Sequence, residues 1–181
     1  MGQWVPYAIG GVVIVFLIAL YNSLIQKKNQ VQFAFSSIDA QLKKRFDLIP
    51  NLVAACAKYM GYEEKLLKEL AETRANLLQT DPDESVAMDA KLSSQLRSVF
   101  ALVENYPELK AIETFTLLQR SLNEVEEQLS AARRAYNAAI TSYNNAVQTF
   151  PTSIMASVMG YREQALFEAT VNEREPVKVW R

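Results

Sequence analysis

Residues 122–150 read LNEVEEQLSAARRAYNAAITSYNNAVQTF, and their spacing decides the fold class. Leu122, Val125, Leu129, Ala132, Tyr136, Ala139, Tyr143, Val147 and Phe150 recur every three or four positions, with no Gly or Pro from Glu108 to Thr149. A strand would alternate with period two; this is the stripe of a helix burying one face. It holds a seven-residue repeat over about four heptads, the pattern that supports knobs-into-holes packing. The prediction is an all-α protein, a long-helix antiparallel bundle of coiled-coil character.

Working outward, Leu92, Leu96, Val99 and Val103 form a shorter stripe, a helix over about 84–104. Asn105-Tyr106-Pro107 ends it. Pro107 then falls in the first turn of the next helix, about 108–149, where a missing N–H costs nothing. Pro151 stops that helix, an amphipathic segment follows over about 152–167, and a charged tail closes the chain from 168 to 181. Upstream, Val31, Phe35, Ile38, Leu42, Phe46, Ile49, Val53, Cys56, Tyr59, Leu66, Leu70 and Leu77 give one stripe along a helix of about 27–79. Pro50 predicts a kink within it, and Gly61 a looser turn. Thr80-Asp81-Pro82-Asp83 reads as a loop. At 1.5 Å per residue these four helices measure roughly 75, 30, 63 and 24 Å. The third then overhangs the second by roughly 30 Å, which calls for a cover from the fourth helix or from another copy of the chain.

Ahead of the bundle, Trp4 to Ile25 carries no charged side chain, and Val12 to Leu20 is unbroken apolar sequence. Twenty-two residues at 1.5 Å span roughly 33 Å, enough for a hydrocarbon core of about 30 Å. Trp4, Tyr7 and Tyr21 lie near its ends, where interfacial aromatic rings belong. No Lys or Arg precedes the run and no A-x-A site follows it, so it reads as a retained anchor over 1–26 rather than a cleaved signal. Lys27 and Lys28 follow directly, and the positive-inside rule puts the N-terminus outside and the body in the cytoplasm. The same basic bias extends to Lys43, Lys44 and Arg45. These sit roughly 25 Å further on, several Debye lengths of about 8 Å from lipid, and read as a solvated helix face.

The composition excludes several functions. Net charge is −1, too balanced for a nucleic-acid partner. The chain has no His and one Cys, which removes the commonest general base and metal ligand and any intramolecular disulfide.

A family match is carried by Tyr21-Asn22-Ser23-Leu24, by QLKKRFDLIPNLV over 41–53 and by ENYPELKA over 104–111. Arg133-Arg134-Ala135-Tyr136-Asn137, Tyr143-Asn144 and Phe150-Pro151 complete it, so that it runs from the anchor to about Phe167. With these the chain closely resembles the LemA family of bacterial membrane-anchored helical proteins. The resemblance implies an antiparallel helical bundle behind a short membrane helix in the bacterial cytoplasmic (inner) membrane, and it brings no catalytic residues.

The remaining motifs are weighed one by one. A carboxylate-bridged metal site in a bundle needs Glu-x-x-His pairs, and with no His that pattern is absent. Glu63, Glu104, Glu113 and Glu126 read as ion-pair partners or solvated groups. Cys56 lies on the apolar stripe and reads as a buried, inert thiol. Arg45, Asp47 and Asn51 flank Pro50, with Asn51 the candidate to satisfy the carbonyl that Pro50 leaves unpaired. Tyr136-Asn137 and Tyr143-Asn144 repeat at seven residues, as core tyrosines with polar partners or as an Asn pair setting register between subunits. Ile154, Met155, Val158, Met159, Tyr161, Leu166 and Phe167 either pack on the third helix or form a partner or membrane surface. The expectation is a non-enzymatic, cofactor-free scaffold or adaptor. Its partners would be the lipid bilayer, further copies of itself and other membrane proteins. A lipid-organising, membrane-shaping oligomer is the alternative.

Overall fold

The structure, a computed structural model, describes residues 4–60, 63–77 and 82–167. Gly61, Thr80, Asp81 and the tail from 168, all of which carry expectations above, lie outside the described residues. Six helices and no strand occur among those described: α1 Val5–Ala57, α2 Glu64–Leu77, α3 Pro82–Val103, α4 Pro107–Lys110, α5 Glu113–Gln148 and α6 Thr152–Val158. The fold is all-α, as the periodicity predicts.

Three boundaries differ from the spacing argument. α1 carries the apolar span and the neck as one helix of 53 residues, since Gln26 to Gln30 contains no residue that breaks a helix. It stops at Ala57, where the chain turns and the amides of Tyr59 and Met60 both donate to the Cys56 carbonyl, at 3.0 and 2.8 Å. The helix expected over 27–79 is therefore two, α1 and α2, and the turn lets Met60, Leu67 and Leu70 all reach the core. The helix expected over 108–149 is likewise α4 followed by α5. The Ile112 amide donates to the Leu109 carbonyl at 3.1 Å, a tight turn that lets both Leu109 and Phe115 point inward.

The third difference is at the C-terminal end of the described chain. The helix expected over 152–167 ends at Val158, because Gly160 adopts φ 69°, a left-handed conformation that suits glycine. The Tyr161 amide donates to the Ala156 carbonyl at 2.9 Å and the Gly160 amide to that of Ser157 at 3.2 Å, the paired bonds of a Schellman cap. The chain leaves the cap extended.

The chain groups into two compact units, to both of which α1 and α5 contribute. The first holds residues 4–39 and 130–167. Here Lys27 of α1 meets Ser142 of α5, and Phe35 meets Tyr136, so the two helices run antiparallel. Val31, Ala34, Ala139, Ile140 and Tyr143 form its core, with Tyr136, Val147 and Tyr161 packed against them. The second unit holds the described residues of 40–129. Leu42, Phe46, Ile49 and Leu52 of α1 are buried there, as are Leu92, Leu96, Val99 and Val103 of α3 and Leu122, Val125 and Leu129 of α5. Each such aliphatic side chain contributes about 1.5–3 kcal/mol on burial.

Candidate functional site

Arg45, expected on a solvated face with Lys43 and Lys44, is instead the most deeply buried cation among the described residues of the second unit. It stands three residues after Leu42 and four before Ile49, so the helical period turns it into the core with them. Its guanidinium donates through Nη1 to Asp89 Oδ1 at 2.8 Å and through Nη2 to Ser93 Oγ at 2.9 Å. Glu126 Oε2 lies 3.1 Å from Nη2. The Arg45 and Asp89 side chains are only 4% and 1% exposed, whereas Glu126 reaches the site from the surface. One planar cation thus ties α1, α3 and α5 together through its fork of fixed donors.

Pro50 lies beside this network, exposed, inside a helix that continues to Ala57. It has no N–H to offer the Phe46 carbonyl four residues back. That oxygen accepts instead from Arg74 Nε on α2, at 3.3 Å. Asn51, expected in this role, is exposed, as is Asp47; a residue one place after the proline points away from the carbonyl one turn behind it.

In the first unit, the Asn repeat holds the extended segment after α6. Asn144 donates from Nδ2 to the Gln164 carbonyl at 2.8 Å, and its Oδ1 accepts from the Gln164 amide at 2.9 Å. Asn137 makes the same pair with Phe167, at 3.0 and 2.8 Å. Seven helical residues rise about 10.5 Å and three extended ones about 10 Å, so the two pairs keep step. The asparagines serve a clasp within one chain. Beside them, Tyr136 rests between Phe35 and Phe167, and Tyr143 meets Tyr161 at a ring separation of 6.3 Å. Burial, with Tyr161 adding to it, raises the Tyr143 phenol above its ordinary range. The segment expected to be amphipathic divides: Tyr161 and Phe167 pack inward while Ile154, Val158 and Leu166 stay exposed.

The other motif residues take the following places. Trp4, Tyr7 and Tyr21 are exposed along α1. Lys27 Nζ donates to Ser142 Oγ at 2.7 Å, and Lys28 stands over the Tyr161 ring at 5.1 Å. Tyr106 precedes α4 as its cap and Pro107 opens that helix. Pro151, after a cis peptide bond, precedes α6. Phe150, expected on the α5 stripe, is exposed, because α5 ends at Gln148 and the turn carries it off the helix face.

Two partners were missed, Asp89 and Arg74. Asp89 carries a signal in the sequence: it sits three residues before Leu92, a charge on the apolar stripe of α3. Arg74 carries none, since its target is a backbone atom.

The chemistry open to these groups is limited. Burial raises the Cys56 thiol from 9.0 to about 11, away from the thiolate. No three His, Cys, Asp or Glu side chains gather into a potential metal site among the described residues. A cleft of about 460 Å³ between the end of α1 and α2 is lined by Val53, Ala57, Met60, Leu67 and Ala71, with Glu64 and Lys68. The polar groups of both units hold helices in place.

The chain is similar to the protein LemA of Metamycoplasma hominis, 28% identical over 86% of this chain and 72% of that protein. It is 20% identical to the magnetosome protein MamQ 2 of Paramagnetospirillum magneticum, over 84% of this chain and 66% of that one. With the magnetosome protein MamQ of Magnetospirillum gryphiswaldense it shares 19% over 83% and 65%. The chain thus spans about two thirds of the length of its MamQ relatives, and none of these names denotes an enzyme. The profile of the LemA family matches residues 34–180, taking in the Arg45 network and the Asn clasp, and the chain belongs to the LemA family.

Proposed function

We propose that this protein is a non-enzymatic, membrane-anchored scaffold or adaptor that self-associates and presents helical surfaces to other membrane proteins. One helix, α1, is long and apolar enough to cross a membrane. The N-terminus lies outside and the bundle lies on the cytoplasmic side of a bacterial inner membrane, by the bias of Lys27 and Lys28. The observation that carries self-association is Phe33. It is 75% exposed on α1 while Val31 and Ala34 beside it are buried. A large aromatic ring on a face that the described residues leave open is an anchor for a helical partner. Tethering in one bilayer raises subunit concentration and fixes orientation, so modest contacts suffice.

Crosslinking of Phe33→Cys in a Cys56→Ser background, in membranes at native expression, tests the reading, with sizing in mild detergent beside it. Discrete oligomers, lost in Phe33→Asp, are expected; a sharp monomer in both assays removes self-association. For orientation, Gln3→Cys is expected to react with an impermeant thiol reagent on intact cells and Glu127→Cys only after lysis. The reverse pattern overturns the assignment.

The second reading, a lipid-organising or membrane-shaping oligomer, is favoured by an exposed apolar corner formed by Phe150, Ile154 and Val158. Vesicle morphology with and without the purified full chain separates it from a plain scaffold.

A further inference from the structure

Phe150, Ile154 and Val158 follow one another at four-residue intervals across the α5–α6 corner and are 80%, 60% and 80% exposed. The opposite side of α6 packs inward through Ala156. Among the described residues nothing covers this apolar edge of a seven-residue helix.

Its position relative to the apolar span follows from the antiparallel pairing within the first unit. The pairs Lys27–Ser142 and Phe35–Tyr136 carry residue numbers that sum to 169 and 171. Carried to the end of α5, that register sets Gln148 level with Tyr21 to Ser23, with Phe150 in the turn just beyond it. The burial pattern agrees: α1 is exposed from Tyr7 to Ala19, partly covered at Leu20 and fully buried at Leu24. Ile25 ends the apolar span, two to four residues beyond that level, so the corner begins about 3–6 Å inside it. Tyr161, beside Tyr143 and under Lys28, brings the far end of α6 back to the level of the first lysines.

The charge of this end suits an anionic surface. Residues 135–161 contain no Asp, Glu, Lys or Arg. Among the described residues of the unit the charges nearest the span are Lys27, Lys28, Arg162 and Glu163, while Asp39, Arg133 and Arg134 lie further along it.

We propose that the α5–α6 corner is a second membrane contact, in which Phe150, Ile154 and Val158 enter the cytoplasmic leaflet beside the anchor. Interfacial apolar side chains enter a bilayer by about 5–10 Å, a range that the level of this corner inside the span allows. The corner widens the inserted cross-section in one leaflet only, the asymmetry that a membrane-shaping protein needs. The inference rests on α1 being a membrane anchor and not on self-association.

The test uses the full chain in a Cys56→Ser background, reconstituted in phosphatidylcholine–phosphatidylglycerol vesicles. Phe150→Cys, Ile154→Cys and Val158→Cys carry an environment-sensitive fluorophore, with Val15→Cys reporting on the anchor and Leu117→Cys on an exposed apolar position of the other unit. With nitroxide-labelled lipid added, fluorescence loss at the three corner positions is expected to approach that at Val15→Cys and to exceed that at Leu117→Cys severalfold. Quenching at Val15→Cys with corner positions no different from Leu117→Cys overturns the second contact and leaves the anchor. Absence of quenching at Val15→Cys overturns both. A blue shift at the corner without quenching, together with crosslinks between copies at Ile154→Cys, assigns the corner to a second copy and also overturns the lipid contact.

Discussion

Arg74 Nε donates to the Phe46 carbonyl at 3.3 Å, taking the acceptor that Pro50 leaves without its helical donor. A side chain from α2 therefore completes the hydrogen bonding of α1. Removing it, as in Arg74→Ala, is expected to cost about 1–2 kcal/mol, the range for leaving a partly buried acceptor unmet. Pro50→Ala restores the N–H and should erase most of that cost. A double-mutant cycle on thermal unfolding in detergent reads the coupling, and additive effects would falsify the assignment.

Asp89 is the fully buried partner of Arg45. Asp89→Ala strands a buried cation and is expected to destabilise by about 3–5 kcal/mol. Glu126→Gln alters a surface-reaching partner and should cost under about 1 kcal/mol. Arg45→Met with Asp89→Leu, which removes both charges, should recover much of the loss. If the double variant unfolds as readily as Asp89→Ala, stranded charge is the wrong explanation.

The Asn clasp makes a position-specific claim. Asn137→Ala and Asn144→Ala each remove a paired hydrogen bond, worth about 1 kcal/mol or slightly more. Hydrogen exchange at the Phe167 and Gln164 amides, respectively, should accelerate in each variant. Asn144→Asp keeps the acceptor for the Gln164 amide and should retain its protection. Equal exchange in Asn144→Asp and Asn144→Ala would show that the side-chain oxygen does not hold that amide.

Cys56 should resist modification until the chain unfolds. Its thiol is raised from 9.0 to about 11 by burial, so in the folded protein at pH 8 the thiolate is about 100-fold scarcer than in the unfolded chain. The folded value is the higher one, so this contribution to stability is complete below pH 9 and is lost as pH rises toward 11. Cys56→Ser should abolish that part of the alkaline loss. Rapid labelling of the native protein at pH 8 would contradict the burial.

The end of the anchor can be located by truncation. Leu24 belongs to the folded body, being fully buried, although it lies within the apolar span. A chain beginning at Leu20 should keep the helical content and melting temperature of the body. One beginning at Lys27 loses Leu24 and should be less stable by about 2–5 kcal/mol, as for other large-to-small losses from a core. Circular dichroism of the two in the same detergent decides it; identical melting would place Leu24 outside the body.

Much of this architecture is legible along the chain, because a helix repeats its environment every three to four residues. The stripes Leu92-Leu96-Val99-Val103 and Leu122-Val125-Leu129 mark side chains that are buried in the structure, and the charge-free run before Lys27 marks the one membrane-length helix among the described residues. These are local properties, set by spacing and composition alone. What tertiary structure decided is where helices end and what their polar residues meet. Periodicity persists across the turns at Ala57 and Ala111, since residues on both sides face the core. The overhang expected of the third helix came from comparing its length with that of the second alone; in the first unit α5 packs against α1 itself and against the clasped segment. Asn137 and Asn144 stand at coiled-coil spacing, yet their amides pair with backbone thirty and twenty residues away, brought there by the Gly160 cap. Arg45 finding Asp89, and Arg74 finding the Phe46 carbonyl, depend on side chains from separate helices converging in space. A one-dimensional pattern specifies which face of a helix is buried; only packing specifies which atoms share that face.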